Sequence, residues 1–72
     1  MHDRALKSRI DNYLYQWRLI DPDKWFPKGE IEDMSKGAGY LGDNGGRRLR
    51  ELVEEGKVEG RRAGKSKEFR HL

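Results

Sequence analysis

Residues 45–72, GGRRLRELVEEGKVEGRRAGKSKEFRHL, carry the clearest structural signal in this chain. Leu49, Leu52 and Val53 recur at i, i+3 and i+4, the spacing of one buried helical face. Gly56 falls where a helix ends by turning left-handed, a conformation that glycine enters without steric penalty. Val58 and Phe69 then lie on two short strands either side of the polar turn Ala63-Gly64-Lys65-Ser66. An amphipathic helix, a glycine stop and a basic β-hairpin therefore follow one another directly.

Two further helices precede this stretch. Over residues 3–20, Leu6, Ile10, Tyr13, Leu14, Trp17 and Ile20 form one helical stripe, with Asp3 as N-cap and Asp21-Pro22-Asp23 as terminator. Trp25-Phe26-Pro27 reads as a short extended connector whose two aromatics plug the core. A shorter helix over residues 28–36 turns Ile31 and Met34 inward and stops at Gly37. The glycine-rich turn over residues 37–46 is anchored by Tyr40 and Leu41, and Asp43 or Asn44 caps a third helix that runs to Glu55. A lone hairpin is marginal in water, so Val58 and Phe69 must pack against the helices. The expected fold is α+β and mainly α: a single domain, residues 1–72, with a three-helix core and a C-terminal two-stranded β-hairpin. A plain three-helix bundle with a disordered basic tail is the runner-up, and the placement of Val58 and Phe69 on one hairpin face argues against it.

Arg47, Leu49, Leu52, Gly56 and Val58 match the pattern R-x-L-x-x-L-x-x-x-G-x-V, and here the chain resembles the winged helix-turn-helix family, in its third helix and wing. The resemblance implies a winged-helix fold, double-stranded DNA as partner, and the setting of a small microbial or viral regulator.

Composition limits the alternatives. Seventy-two residues, 33% of them hydrophobic, suffice for one small core. Cysteine is absent, which excludes disulfides and thiolate metal sites and fits a reducing, cytoplasmic setting. No apolar run approaches the ~20 residues of a membrane span, and MHDRALKS lacks a signal-peptide core, so a soluble protein is expected. Net charge is +3, unevenly spread: residues 57–72 hold six basic side chains against two acids, net +4, which leaves −1 for residues 1–56. Positive charge concentrated on the hairpin suits a polyanion, although exposed hairpins also carry Lys and Arg for solvation and edge protection.

With the buried centre of the third helix at Leu49 and about 100° per residue, Asn44, Arg47, Arg48, Glu51, Glu54 and Glu55 face outward. The N-terminal part of a recognition helix meets base edges; Asn44 suits adenine, and Arg47 or Arg48 suits guanine or phosphate. Gly45 and Gly46 either let backbone N–H groups approach a phosphate or serve a tight turn. Glu51, Glu54 and Glu55 oppose simple DNA binding. The helix must enter a groove by its N-terminal end, or the acids must pair at i, i+4 as Arg47–Glu51 and Arg50–Glu54. On the wing, Arg61, Arg62, Lys65 and Lys67 surround a turn suited to the minor groove or the phosphate backbone, whereas Lys57 and Arg70 are expected to be solvated. Tyr15 and Leu19, on the opposite side of the first helix from its stripe, are either ordinary surface residues or a homodimer contact.

Catalysis is not expected, nor any metal, cofactor or small-molecule substrate. His2 and His71 sit at the termini as solvent-exposed bystanders, Ser8, Ser35 and Ser66 stand beside no base, and residues 37–46 lack the G-x-x-x-x-G-K-[ST] phosphate loop. The leading expectation is a double-stranded DNA-binding regulator of transcription or replication, reading the major groove with its third helix and contacting backbone with the wing. A winged-helix protein-interaction module within a nucleic-acid-processing assembly is the second, and RNA binding through the hairpin alone the third.

Overall fold

The computed structural model describes residues 2–72, with side chains for residues 4–72, as α1 (His2–Ile20), β1 (Phe26–Pro27), α2 (Lys28–Gly37), α3 (Gly42–Glu54), β2 (Val58–Ala63) and β3 (Ser66–His71). The mainly-α α+β class expected from sequence is the one observed. Leu6, Ile10 and Leu14 repeat every fourth residue along α1 and are fully buried, with Tyr13 and Trp17 packed beside them. Ile20, expected in the same stripe, is 71% exposed. It lies almost a turn beyond Trp17, the last α1 side chain to reach the core cluster. Asp21 closes the helix: its carbonyl accepts the Lys24 N–H at 3.1 Å and its carboxylate the Asp23 N–H at 3.3 Å, an Asx turn around Pro22. The helix already includes His2, and the side chain of Asp3, expected as N-cap, lies outside the described ones.

Within the connector at residues 25–27, Phe26–Pro27 is a strand, β1. It pairs antiparallel with β3, Phe26 opposite Phe69 and Pro27 opposite Glu68, giving a three-stranded sheet of order β1-β3-β2. Proline is tolerated because β1 is an edge strand. Adjacent strand residues point to opposite faces, so only one of the two aromatics can enter the core. Phe26 does, meeting Tyr13 and Trp17 edge-on at centroid distances of 5.4 and 5.8 Å. Trp25 instead stays part-exposed, with the guanidinium carbons of Arg61 and Arg70 over its ring at 4.1 and 4.4 Å.

Both α2 and α3 end in a Schellman motif, in which the two residues after the cap donate back to the last turn. After α3, Gly56 (φ +75°) donates to Val53 O and Lys57 to Leu52 O, both at 3.0 Å. After α2 the left-handed residue is Gly39 (φ +92°), two beyond the expected stop at Gly37. Gly39 donates to Lys36 O at 3.0 Å and Tyr40 to Ser35 O at 2.9 Å, seating Tyr40 against the core. Leu41 does not anchor the turn; it is exposed and is the N-cap of α3. Asp43 and Asn44, expected as caps, therefore lie inside the first turn.

Ile31 and Ser35 of α2 are buried where the helix crosses α3, as are Gly45, Leu49 and Leu52 of α3. The crossing is tight: a Cβ on Gly45 would overlap Ser35 Oγ and lie 3.2 Å from Ile31 O. Ser35 Oγ donates to Ile31 O at 2.8 Å, which satisfies the buried hydroxyl. The hairpin closes through a two-residue turn, Gly64-Lys65, between the paired Ala63 and Ser66. Gly64 at φ +62° gives it the type II′ form that matches strand twist. The register puts Val58, Gly60 and Phe69 on the inner face, where Val58 and Phe69 complete the core. The basic segment is thus an ordered part of the sheet. Among the described residues no helix is long and apolar enough to cross a membrane.

Candidate nucleic-acid interface

Charge on α3 is segregated by side. Glu51 faces α1, with its carboxylate 3.0 Å from Arg48 Nη2 and 3.8 Å from Lys7 Nζ. Glu55 accepts a hydrogen bond from the same Lys7 and lies 3.7 Å from Lys57. The Lys7 hydrogen bond holds the Glu55 carboxyl below the usual carboxylate range. These two acids are therefore neutralised along the α1 seam, away from the open side of α3. Arg47 pairs with Asp43 at 3.9 Å, both well exposed, and the expected Arg47–Glu51 and Arg50–Glu54 pairs do not form among the described residues.

The open side of α3 faces a cleft of about 290 Å³, walled opposite by the hairpin and at one end by the start of α2. Its charged lining is entirely cationic: Lys28, Arg50, Arg61, Arg62 and Lys67. Gly46, Val53, Gly60 and Phe69 complete the walls. The local structure accounts for this convergence. Gly46, Arg50 and Val53 follow at i, i+4 and i+7 and make one row along α3. Arg62 and Lys67 are register partners on the sheet face shared with Phe69, so both point toward that row. A Cβ on Gly46 would lie 2.8 Å from Lys28 Cε, so this glycine makes room for the lysine stem. Arg61 has Glu68 as its counterion, but Lys28, Arg50, Arg62 and Lys67 form no ion pair among the described residues, and like charges so gathered create a field that a polyanion relieves.

The expected contact residues separate into two groups. Arg47 and Lys65 are exposed, Asn44 is half-buried on the first turn of α3, and Gly46, Arg61, Arg62 and Lys67 meet at the cleft. Arg61 is also tied to the outer sheet face through Glu68, Nε to Oε1 at 2.9 Å, and through Trp25. Gly45 and Arg48 do not face outward. Gly45 is closed off by Ser35, and Arg48 is 8% exposed with its guanidinium on Glu51. Lys28 and Arg50 were missed. The i, i+4, i+7 row marks Arg50, but no pattern in the sequence marks Lys28.

Two other expectations need correcting. Arg70 is not simply solvated: its Nε donates to Glu59 at 2.9 Å and its Nη1 to Pro22 O at 3.1 Å. His71 is no bystander either; Nε2 donates to Asp11 Oδ1 at 2.7 Å, and its ring meets Tyr15 edge-on at 5.3 Å. Tyr15 and Leu19 are exposed, as expected. In comparisons with known proteins, no family model matches the chain, and neither a curated protein nor a solved structure matches it.

Proposed function

We propose that this chain is a double-stranded DNA-binding protein of the winged-helix kind, a small regulator of transcription or replication acting in the cytoplasm. One observation carries the reading: α3 turns Glu51 and Glu55 to α1, while its open side joins the hairpin in a cleft whose charged lining is all basic. That answers the objection for two of the three acids of the third helix; the third, Glu54, stays exposed one turn beyond Arg50. The element order, with a third strand β1 completing the sheet, supports the winged-helix assignment, and the absence of cysteine fits the cytoplasm. In this reading Asn44, Arg47 and Arg50 present hydrogen-bonding groups to base edges or phosphates, and Lys28, Arg61, Arg62, Lys65 and Lys67 hold the backbone.

Titration against short duplex DNA, single-stranded DNA and RNA at two salt concentrations tests it. Duplex should bind tightest, with affinity falling steeply as salt rises. Preference for RNA or single strands, or no binding at low salt, would reject the proposal. A protein-interaction role is the second reading, favoured by the exposed apolar side chains of Tyr15, Leu19 and Ile20 near the end of α1.

A further inference from the structure

Two locally unfavourable choices meet at one wall of the cleft. Gly46 lies inside α3, where glycine is less stable than alanine because its backbone loses more freedom on folding. Its backbone conformation does not require glycine, since the left-handed glycines are Gly39, Gly56 and Gly64. Lys28 is the first residue of α2, at the positive end of the helix dipole, where a cation is disfavoured. Pro27, the N-cap before it, makes no side-chain bond to the first turn that would offset this. Neither residue helps the fold at its own position, and residues that break local rules in this way mark function.

The two positions explain each other. A Cβ on Gly46 would stand 2.8 Å from Lys28 Cε, closer than side-chain carbons approach, and 3.5 Å from Lys28 Nζ. Glu32 Oε2 follows at 3.7 Å, an ordinary contact, and nothing from the core comes nearer. Gly45, one residue earlier, differs: the space its Cβ would take is closed by Ser35 Oγ and Ile31 O, so core packing requires that glycine. At Gly46 only the lysine stem requires it. The stem crosses α3 there and brings its ammonium to the cleft wall that Arg50 shares, one turn farther along the same row. A lysine that needed only solvent for its head group would have no use for the gap.

We propose that Gly46 is a positioning residue for duplex binding: it seats Lys28 in the cleft, where the ammonium contacts a phosphate of the bound strand. The proposal rests on the duplex-DNA reading above. Gly46→Ala disturbs no core contact, so it should raise Tm by a few degrees. It should also displace Lys28 and flatten the slope of log K against log salt on duplex DNA by about 0.9, the loss of one phosphate contact. The parent's advantage over the variant should then shrink roughly threefold from about 50 to about 200 mM salt. Lys28→Gln should show the same slope, and the double variant should bind no more weakly than Lys28→Gln alone. A purely structural glycine would move Tm without that loss of additivity. In the free parent, nuclear Overhauser contacts should join the Lys28 ε-protons to the Gly46 α-protons.

The parent's slope in Gly46→Ala or in Lys28→Gln, additive losses in the double variant, absence of the Lys28–Gly46 contact, or a Tm of Gly46→Ala below the parent's would each overturn the proposal and leave DNA binding standing. A parent that binds no duplex at low salt overturns both.

Discussion

Gly45 and Arg48 carry the sharpest residue-level consequences, because both point into the molecule from a helix whose sequence suggests otherwise. Alanine at Gly45 gains about 1 kcal/mol of helix propensity, but the added methyl overlaps Ser35 and crowds the Ile31 carbonyl. Overpacking at a site with so little give costs roughly 1–3 kcal/mol, so Gly45→Ala should lower Tm, and adding Ser35→Ala should restore part of the loss. An unchanged or raised Tm would mean the α2–α3 crossing is looser than described. Arg48→Ala should likewise lower Tm by breaking the Glu51 contact while leaving the salt dependence of DNA binding as in the parent. A flattened salt dependence in a stably folded Arg48→Ala would put Arg48 on the DNA side. The misplacement of Arg48 has a simple geometric origin. Counting Val53 with Leu49 and Leu52 rotates the inferred buried arc of α3 by roughly 40–50°. Val53 then appears inside and Arg48 outside. The helix is in fact buried against both α1 and α2, which draws in Gly45 and Arg48 and leaves Val53 39% exposed at the cleft.

Between elements, the α1–α3 seam depends on one lysine shared by two acids, Lys7 with Glu51 and Glu55. Since the folded Glu55 carboxyl titrates below its unfolded value, its contribution to stability is present above the ordinary carboxylate range and is lost as pH falls through the folded value. Tm of the parent should therefore fall between about pH 5 and pH 3, and Glu55→Gln should show a shallower decline from a lower starting point at neutral pH. The same decline in parent and variant would remove this pair as a contributor. High salt should narrow the difference, because the pair lies at the surface. Elements with strong local signals were legible in advance: the Leu6, Ile10, Leu14 stripe, the left-handed Gly56 and the Gly64 turn. The two residues of β1 were not, since a strand that short has no period, and its pairing with β3 spans about 40 residues of sequence. The α3 N-terminus was misread because its capping position holds a leucine where a polar cap is preferred.

For the whole molecule, the cleft, the open side of α3 and the hairpin form one basic surface, while Tyr15 and Leu19 lie exposed on α1. A single module of this size touches few base pairs, and pairing through α1 would double the site. Sedimentation of the parent should then show concentration-dependent dimers that Tyr15→Glu suppresses by burying a charge; a parent that stays monomeric with and without duplex removes this contact. The convergence of Lys28 and Arg50 with the hairpin cations depends on how α2, α3 and β3 pack, which no local pattern encodes, so only the hairpin half of the surface was legible in the sequence. The most direct test is the slope of log K against log salt on duplex DNA, for the parent and for a variant with Arg50, Arg62 and Lys67 changed to glutamine. All three side chains line the cleft, and Arg50, Arg62 and Lys67 are exposed, so the variant should melt at or slightly above the parent's Tm. Each lost phosphate contact should flatten the slope by about 0.9. A variant that folds and keeps the parent's slope, or a parent without duplex affinity at low salt, would contradict the account.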